Sequence, residues 1–156
     1  MSELYIETKN ALHKQISDFF TSQGITSVNG YPVGVYKVNY QNISSFPAVT
    51  LEIDKRRKVK KGLGVRELQI DFNVWVYTNI MDMEYAEEEC LRIGELAEQA
   101  IEQDKTLGGT CQYLSIDDEA DFGTVQNGTV SGGEPTFLQG MRIPLTTIVR
   151  IGGVTK

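Results

Sequence analysis

The sequence predicts an α+β fold, an antiparallel or mixed β-sheet with two helices packed on one face. Three observations predict it. Two stretches carry apolar residues at helical spacing, one near the start and one in the middle of the chain. Several other stretches alternate apolar and polar residues with a period of two, as strands with one buried side do. Their order is helix, strands, helix, strands, with no internal repeat and no linker, so residues 1–156 read as one domain with room for a core.

The first helix is predicted over Glu3 to about Phe20, where Tyr5, Leu12, Ile16, Phe19 and Phe20 fall on one face. Gly24 suits its C-terminal glycine, and Asn29-Gly30 with Pro32 marks a turn. Val33 to Tyr40 reads as a short strand or an extended loop.

A long β-hairpin is predicted next. Its strands are Phe46–Asp54, with Val49, Leu51 and Ile53 on one face, and Glu67–Tyr77, with Leu68, Ile70, Phe72, Val74 and Val76 on one face. The opposite face of the second strand is polar but ends in Trp75 and Tyr77, which predicts cover by a helix or by another subunit. Between the strands lies a basic tip, Lys55-Arg56-Arg57-Lys58-Val59-Lys60-Lys61-Gly62.

The second helix is predicted over Met83 to Gln103, with Asp82 as N-cap and a stripe of Ala86, Cys90, Ile93, Ala97, Ala100 and Ile101. Its other face is acidic: Glu84, Glu87, Glu88, Glu89, Glu95, Glu98 and Glu102. That face is either solvated or a surface for a basic partner. Asp104–Gly109 reads as a compact turn and Cys111–Ile116 as a strand. Asp117–Glu134, rich in Gly, Asp, Asn and Ser, reads as a long mobile loop or a hairpin tip. Met141–Ile151 closes the sheet, with Ile143, Leu145, Thr147, Val149 and Ile151 on one side. Pro144 cannot donate to a ladder, which predicts an edge or a strand start there.

Charge is segregated. From Lys55 to Arg66 there are seven Lys or Arg and no Asp or Glu, and the rest of the chain holds 8 basic against 21 acidic residues. Such segregation suggests a docking element. The tip is a solvated end, a contact for an acidic protein surface, or a contact for nucleic acid. The third is weakened because no aromatic residue is interleaved from Lys55 to Arg66 to stack on bases. Net acidity argues against nucleic-acid binding by the whole surface.

Catalytic equipment is sparse. The single histidine, His13, sits beside Lys14 on the first helix and reads as an exposed bystander. Cys90 and Cys111 read as small buried apolar groups, not as a disulfide or metal site. Asp117, Glu119 and Asp121 resemble the start of an EF-hand, but Gly123 is one position late and the twelfth position is Gly128. Lys61-Gly-Leu-Gly64 lacks the following helix that a phosphate cradle needs. The sequons at Asn42 and Asn127 read as chance matches. No cofactor and no metal are expected. No apolar run approaches the roughly 20 residues of a membrane helix, and the first residues lack a signal peptide's basic start and apolar core. The protein is expected to be made and kept in a cytoplasm.

Taken in order, these features resemble the tail terminator, or tail completion, proteins of long-tailed bacteriophages. The resemblance rests on the N-terminal amphipathic helix and on Ile43-Ser-Ser-Phe-Pro-Ala-Val-Thr-Leu-Glu-Ile53, where Phe-Pro-x-Val opens a strand. It continues through Val74-Trp-Val-Tyr77 and the acidic helix closing on Ile101-Glu-Gln-Asp-Lys-Thr-Leu-Gly-Gly109. It ends in Met141-Arg-Ile-Pro-Leu-Thr-Thr-Ile-Val-Arg150. It implies a virion protein at the head-proximal end of the tail, forming a six-membered ring on the completed tail tube. Such a ring stops tube polymerisation and offers the head its joining surface, while DNA passes through its centre. The partners implied are other copies of the chain, the tail tube protein and a head completion or connector protein. A ring needs head-to-tail contacts. The interface residues expected are Lys55, Arg56, Arg57, Lys58, Lys60, Lys61 and Arg66 against an acidic surface such as Glu87, Glu88 and Glu95, with Trp75 and Tyr77 as anchors. The alternatives are a head completion or connector subunit, a small nucleic-acid-binding module, and, last, an enzyme using carboxylates.

Overall fold

The computed structural model describes residues 2–26, 30, 32–37, 47–60, 65–78, 83–129 and 135–152. Helix α1 spans Ser2–Gln23 and α2 spans Met83–Glu102. The strands are β1 Gly34–Tyr36, β2 Ala48–Lys60, β3 Val65–Thr78, β4 Tyr113–Ile116, β5 Asp121–Thr129 and β6 Pro135–Gly152. They form one mixed six-stranded sheet in the order β1-β2-β3-β6-β4, with β5 also paired to β6. Only the β1–β2 pair is parallel. The α+β fold read from the sequence is the fold observed.

Helix α1 ends as its glycine predicts. Gly24 adopts φ +62°, its N–H donates to the Thr21 carbonyl, and the Ile25 N–H reaches back to the Phe20 carbonyl. This pair of bonds is a Schellman closure, which satisfies carbonyls that the helix end would otherwise leave open. Ile25 then packs on the core. Of the turn that follows, Gly30 has φ +86° and Thr26 bridges to Pro32, while Asn29 lies outside the described residues. Val35 and its two neighbours form a strand; residues 38–40 lie outside the described residues.

One face of the sheet is buried under the helices. The rows Val49–Val76–Met141, Leu51–Val74–Ile143 and Ile53–Phe72–Leu145 run across β2, β3 and β6 on this face. Against them pack Leu12, Ile16 and Phe20 of α1, and the whole predicted stripe of α2, all buried. Gly94 lets α2 lie close on β6, since a Cβ there would stand 2.2 Å from the Met141 sulfur.

Polar groups fix the two helices to each other. The Gln15 amide nitrogen of α1 lies 2.9, 2.8 and 3.1 Å from the carbonyls of Ala100, Ile101 and Asp104, closing the C-terminus of α2. Gln15→Leu takes this donor from the Ile101 carbonyl, while the Ala100 and Asp104 carbonyls keep the Gln103 and Leu107 N–H groups, so a loss of about 1–2 kcal/mol is expected in urea unfolding. A loss below about 0.5 kcal/mol, the range of ordinary surface changes, would show the bond to be incidental.

Several expectations need correction. Pro144 sits at neither an edge nor a strand start: it lies inside β6, opposite Asn73. Its carbonyl accepts from Asp117 N–H, so its donor-less nitrogen faces the same side, where β4 ends and β5 has yet to begin. The break in the ladder there leaves no donor missed. Of the two readings of Asp117–Glu134 the hairpin is the one observed: β5 occupies Asp121–Thr129 and pairs antiparallel with β6, and residues 130–134 lie outside the described residues. His13 is half-buried, and its Nε2 donates to the Val35 carbonyl at 2.9 Å, tying α1 to β1. Glu89 is buried, not part of the solvated acidic face, and is held by Arg92, which also donates to the Thr26 carbonyl. Asp82 lies outside the described residues.

Candidate subunit-interaction surfaces

The basic tract is mostly strand. β2 runs on to Lys60, so Lys55 to Lys60 pair with Arg66 to Asp71. Residues 61–64, with Lys61, and the side chain of Lys60 lie outside the described residues. The hairpin thus carries its charge along a paired arm.

A β-bulge at Asp54 decides which way each cation points. Ile53 pairs with Phe72 and Lys55 with Asp71, so Asp54 is the extra residue and the alternation shifts by one. Arg56 and Lys58 therefore stand beside Ile70 and Leu68 on the helix side, and Lys55 and Arg57 on the open side. Arg56 lies over the Tyr5 ring of α1, 5.3 Å from its centroid. Arg57 meets Asp71 at 3.6 Å. Lys55, Lys58 and Arg66 are exposed and have no partner among the described residues. Ile53, at the bulge, is 39% exposed, so the apolar face of β2 effectively ends at Leu51.

The first turns of α2 belong to the opposite end of the sheet. Thr78 Oγ1 donates to the Ala86 carbonyl, and Cys90 Sγ to those of Val76 and Gln139. These contacts hold the first turns of α2, with exposed Glu84, Glu87 and Glu88, over the Thr78 end. Glu95 and Glu102 are also exposed further along. From Thr78 back to Leu68 and Arg66 is roughly 35–40 Å of strand. The Debye length is about 8 Å at physiological salt. The basic arm and this acidic end cannot neutralise each other within one chain. Partial burial, with Glu102 and Glu95 beside it, holds the Glu98 carboxyl above its ordinary range.

A second acidic surface is the corner between β4 and β5. Asp117, Asp118, Glu119 and Asp121 are all exposed there. Asp117 accepts from the Glu119 N–H, and Asp121 pairs with Arg142. This stretch is flanked by strands, not the helices of an EF-hand. Among the described residues, no group of three His, Cys, Asp or Glu is placed to hold a metal ion. No described helix is long and apolar enough to cross a membrane.

The two aromatic anchors separate. Trp75 and Tyr77 stack on the open face, rings 5.6 Å apart and 6° from parallel. Tyr77 is fully buried, so it is structural in the monomer. Gly140 beside it makes room, since a Cβ there would come within 3.4 Å of its ring. Trp75 is half-buried, its indole N–H donating to Glu52, which also accepts from Asn73.

The turn Asp104–Gly109 is built as its sequence suggests. Leu107, Gly108 and Gly109 all have positive φ. The Asp104 carboxylate accepts from the Thr106 hydroxyl and N–H and from the Gly108 N–H, which hold it below the ordinary carboxylate range.

Both cysteines are buried thiols. Burial, opposed by a hydrogen bond with Thr78 and reinforced by Glu89, pushes Cys90 up to about 12 from its ordinary 9.0. The folded state therefore holds this proton more tightly than the unfolded chain. Its contribution is complete below pH 9 and is lost as pH rises toward 12, at about 1.4 kcal/mol per pH unit. The stability difference between wild type and Cys90→Ala should shrink by about 2–3 kcal/mol between pH 9 and 11. A difference that does not change with pH would refute this.

No protein-family model matches the chain, and no curated protein matches it.

Proposed function

We propose that this chain is a structural virion protein, a tail terminator that closes the tail tube of a long-tailed phage as a six-membered ring. The ring stops addition of tube subunits and presents the surface that joins the head, with DNA passing through its centre. The task is binding, without bond chemistry. The observation that carries this reading is the placement of charge. A basic arm with exposed Lys55, Lys58 and Arg66, unpartnered among the described residues, lies beyond screening distance from both acidic surfaces of its own chain, the first turns of α2 and the β4–β5 corner. Opposite charges held apart within one chain meet only between chains, and two different surfaces in contact make the head-to-tail interface that closes a ring. The sequence resemblance supplies the identity of that ring.

The test is electron microscopy of lysates from the source phage with this gene disrupted. Tails of variable, excessive length beside full, tailless heads are expected. Normal tails that fail to attach would assign the chain to the head-side connector instead. Unaltered infectious particles would refute both.

A further inference from the structure

We infer that neighbouring copies join by edge-to-edge continuation of the sheet, the outer edge of β2 receiving the β4–β5 edge of the next copy. This rests on the ring reading and names its interface. Among the described residues both edges of the sheet lack a strand partner over part of their length. β1 pairs only with Ala48–Thr50, so from Leu51 to Lys60 the outer side of β2 has no strand partner among the described residues. On the other side, β4 and β5 pair with β6 and with no other described strand. Such edges are templates for pairing with another chain.

Their charges are opposite. The β2 edge bears exposed Lys55 and Lys58, and the β4–β5 corner bears exposed Asp118 and Glu119. Within one subunit β3 and β6 stand between them, three strand spacings or about 14 Å away. Their heights agree. Lys55 pairs with Asp71, Asp71 with Thr146, and Thr146 with Ser115. Asp117 is two residues beyond Ser115, so a neighbour set at the same height is offset by only about 7 Å. Directions agree as well. β2 and β4 run oppositely, because each step from β2 through β3 and β6 to β4 is antiparallel. A copy rotated about an axis along the strands lays its β4 antiparallel to β2, repeating the pairing already present in the sheet. The lysines keep the β2 edge, and the carboxylates keep the β4–β5 edge, from pairing with its own kind, which would end in pairs and not in a ring.

Lys55→Cys combined with Asp117→Cys, the pair offset by only about 7 Å, tests the contact, using a short thiol cross-linker in lysates of cells producing the full chain. The buried Cys90 and Cys111 stay silent. A ladder at multiples of 17.4 kDa is expected. Lys55→Cys with Glu88→Cys is the control, placing the acceptor on α2. A ladder from the control pair alone, or from neither, overturns the edge contact. Gene disruption is scored separately: overlong tails without the 55–117 ladder reject the edge contact and keep the ring reading. A 55–117 ladder with unaltered particles keeps the contact and rejects the ring at the tail.

Discussion

Lys55→Glu with Lys58→Glu should abolish assembly while leaving the fold intact. Both side chains are exposed and unpartnered among the described residues, so folding stability should stay within about 0.5 kcal/mol. Arg56 and Arg57 are left untouched, because they hold Tyr5 and Asp71 within the chain, and reversing them would mix a folding defect into the result. Each exposed ion pair contributes at most about 1 kcal/mol, and reversal converts attraction into repulsion. One pair per contact, Lys55 with the acidic corner, repeated around a six-membered ring, amounts to roughly 3–6 kcal/mol on closure before the repulsion is added, about 10²–10⁴ in the assembly equilibrium. Plaque titre and particle morphology read it out. Adding Asp118→Lys and Glu119→Lys to the same chain should restore assembly, since the swapped edges attract again. Wild-type titres from the doubly reversed variant, with unchanged melting, would remove the basic arm from any role in assembly.

Much of the fold was legible because each buried element is paired with a solvated one. The α2 stripe from Ala86 to Ile101 is buried throughout, since a helix on a sheet buries the face its 3.6-residue period marks. The rows of β3 and β6 emerged for the same reason with a period of two. The exceptions arise where one residue or one long-range contact overrides the period. Ile53 continues the alternation of Val49 and Leu51, yet Asp54 bulges after it and turns the next cations the other way. Nothing local to Pro144 tells that two strands share one side of β6 and leave a gap for it. Tyr77 reads as covered by a helix or another subunit, yet it is already buried within the chain, and Gly140, a cross-strand neighbour far along the sequence, gives its ring room. Of the candidate site, the charged residues were legible, but the opposition of the two sheet edges needs the strand order. The acidic corner at Asp118 and Glu119 stood out in sequence only as a failed calcium loop.

Phe72→Ala should be the most destabilising single truncation, and it separates folding from assembly. Phe72 is 0% exposed at the centre of β3, in the row from Ile53 to Leu145, with Ile70 and Val74 beside it on the helix side. The backbone of a central strand is held by ladders on both sides, so the site cannot collapse to fill the space. Under that condition a buried Phe→Ala change costs about 3–5 kcal/mol, the lost transfer energy plus the cavity. Domains of this size hold only about 5–15 kcal/mol in total. At roughly 2–4 °C per kcal/mol, the melting temperature should fall by about 6–20 °C. Ile6→Ala, at a position 59% exposed on α1, is the matched control and should shift stability by less than about 0.5 kcal/mol. A loss under about 1 kcal/mol at Phe72 would mean that the helices do not clamp this face of the sheet. If they do, Phe72→Ala should still assemble at low temperature and fail on warming. The Lys55 and Lys58 reversal should fail at every temperature, because it removes the attraction between copies and not the fold that presents it.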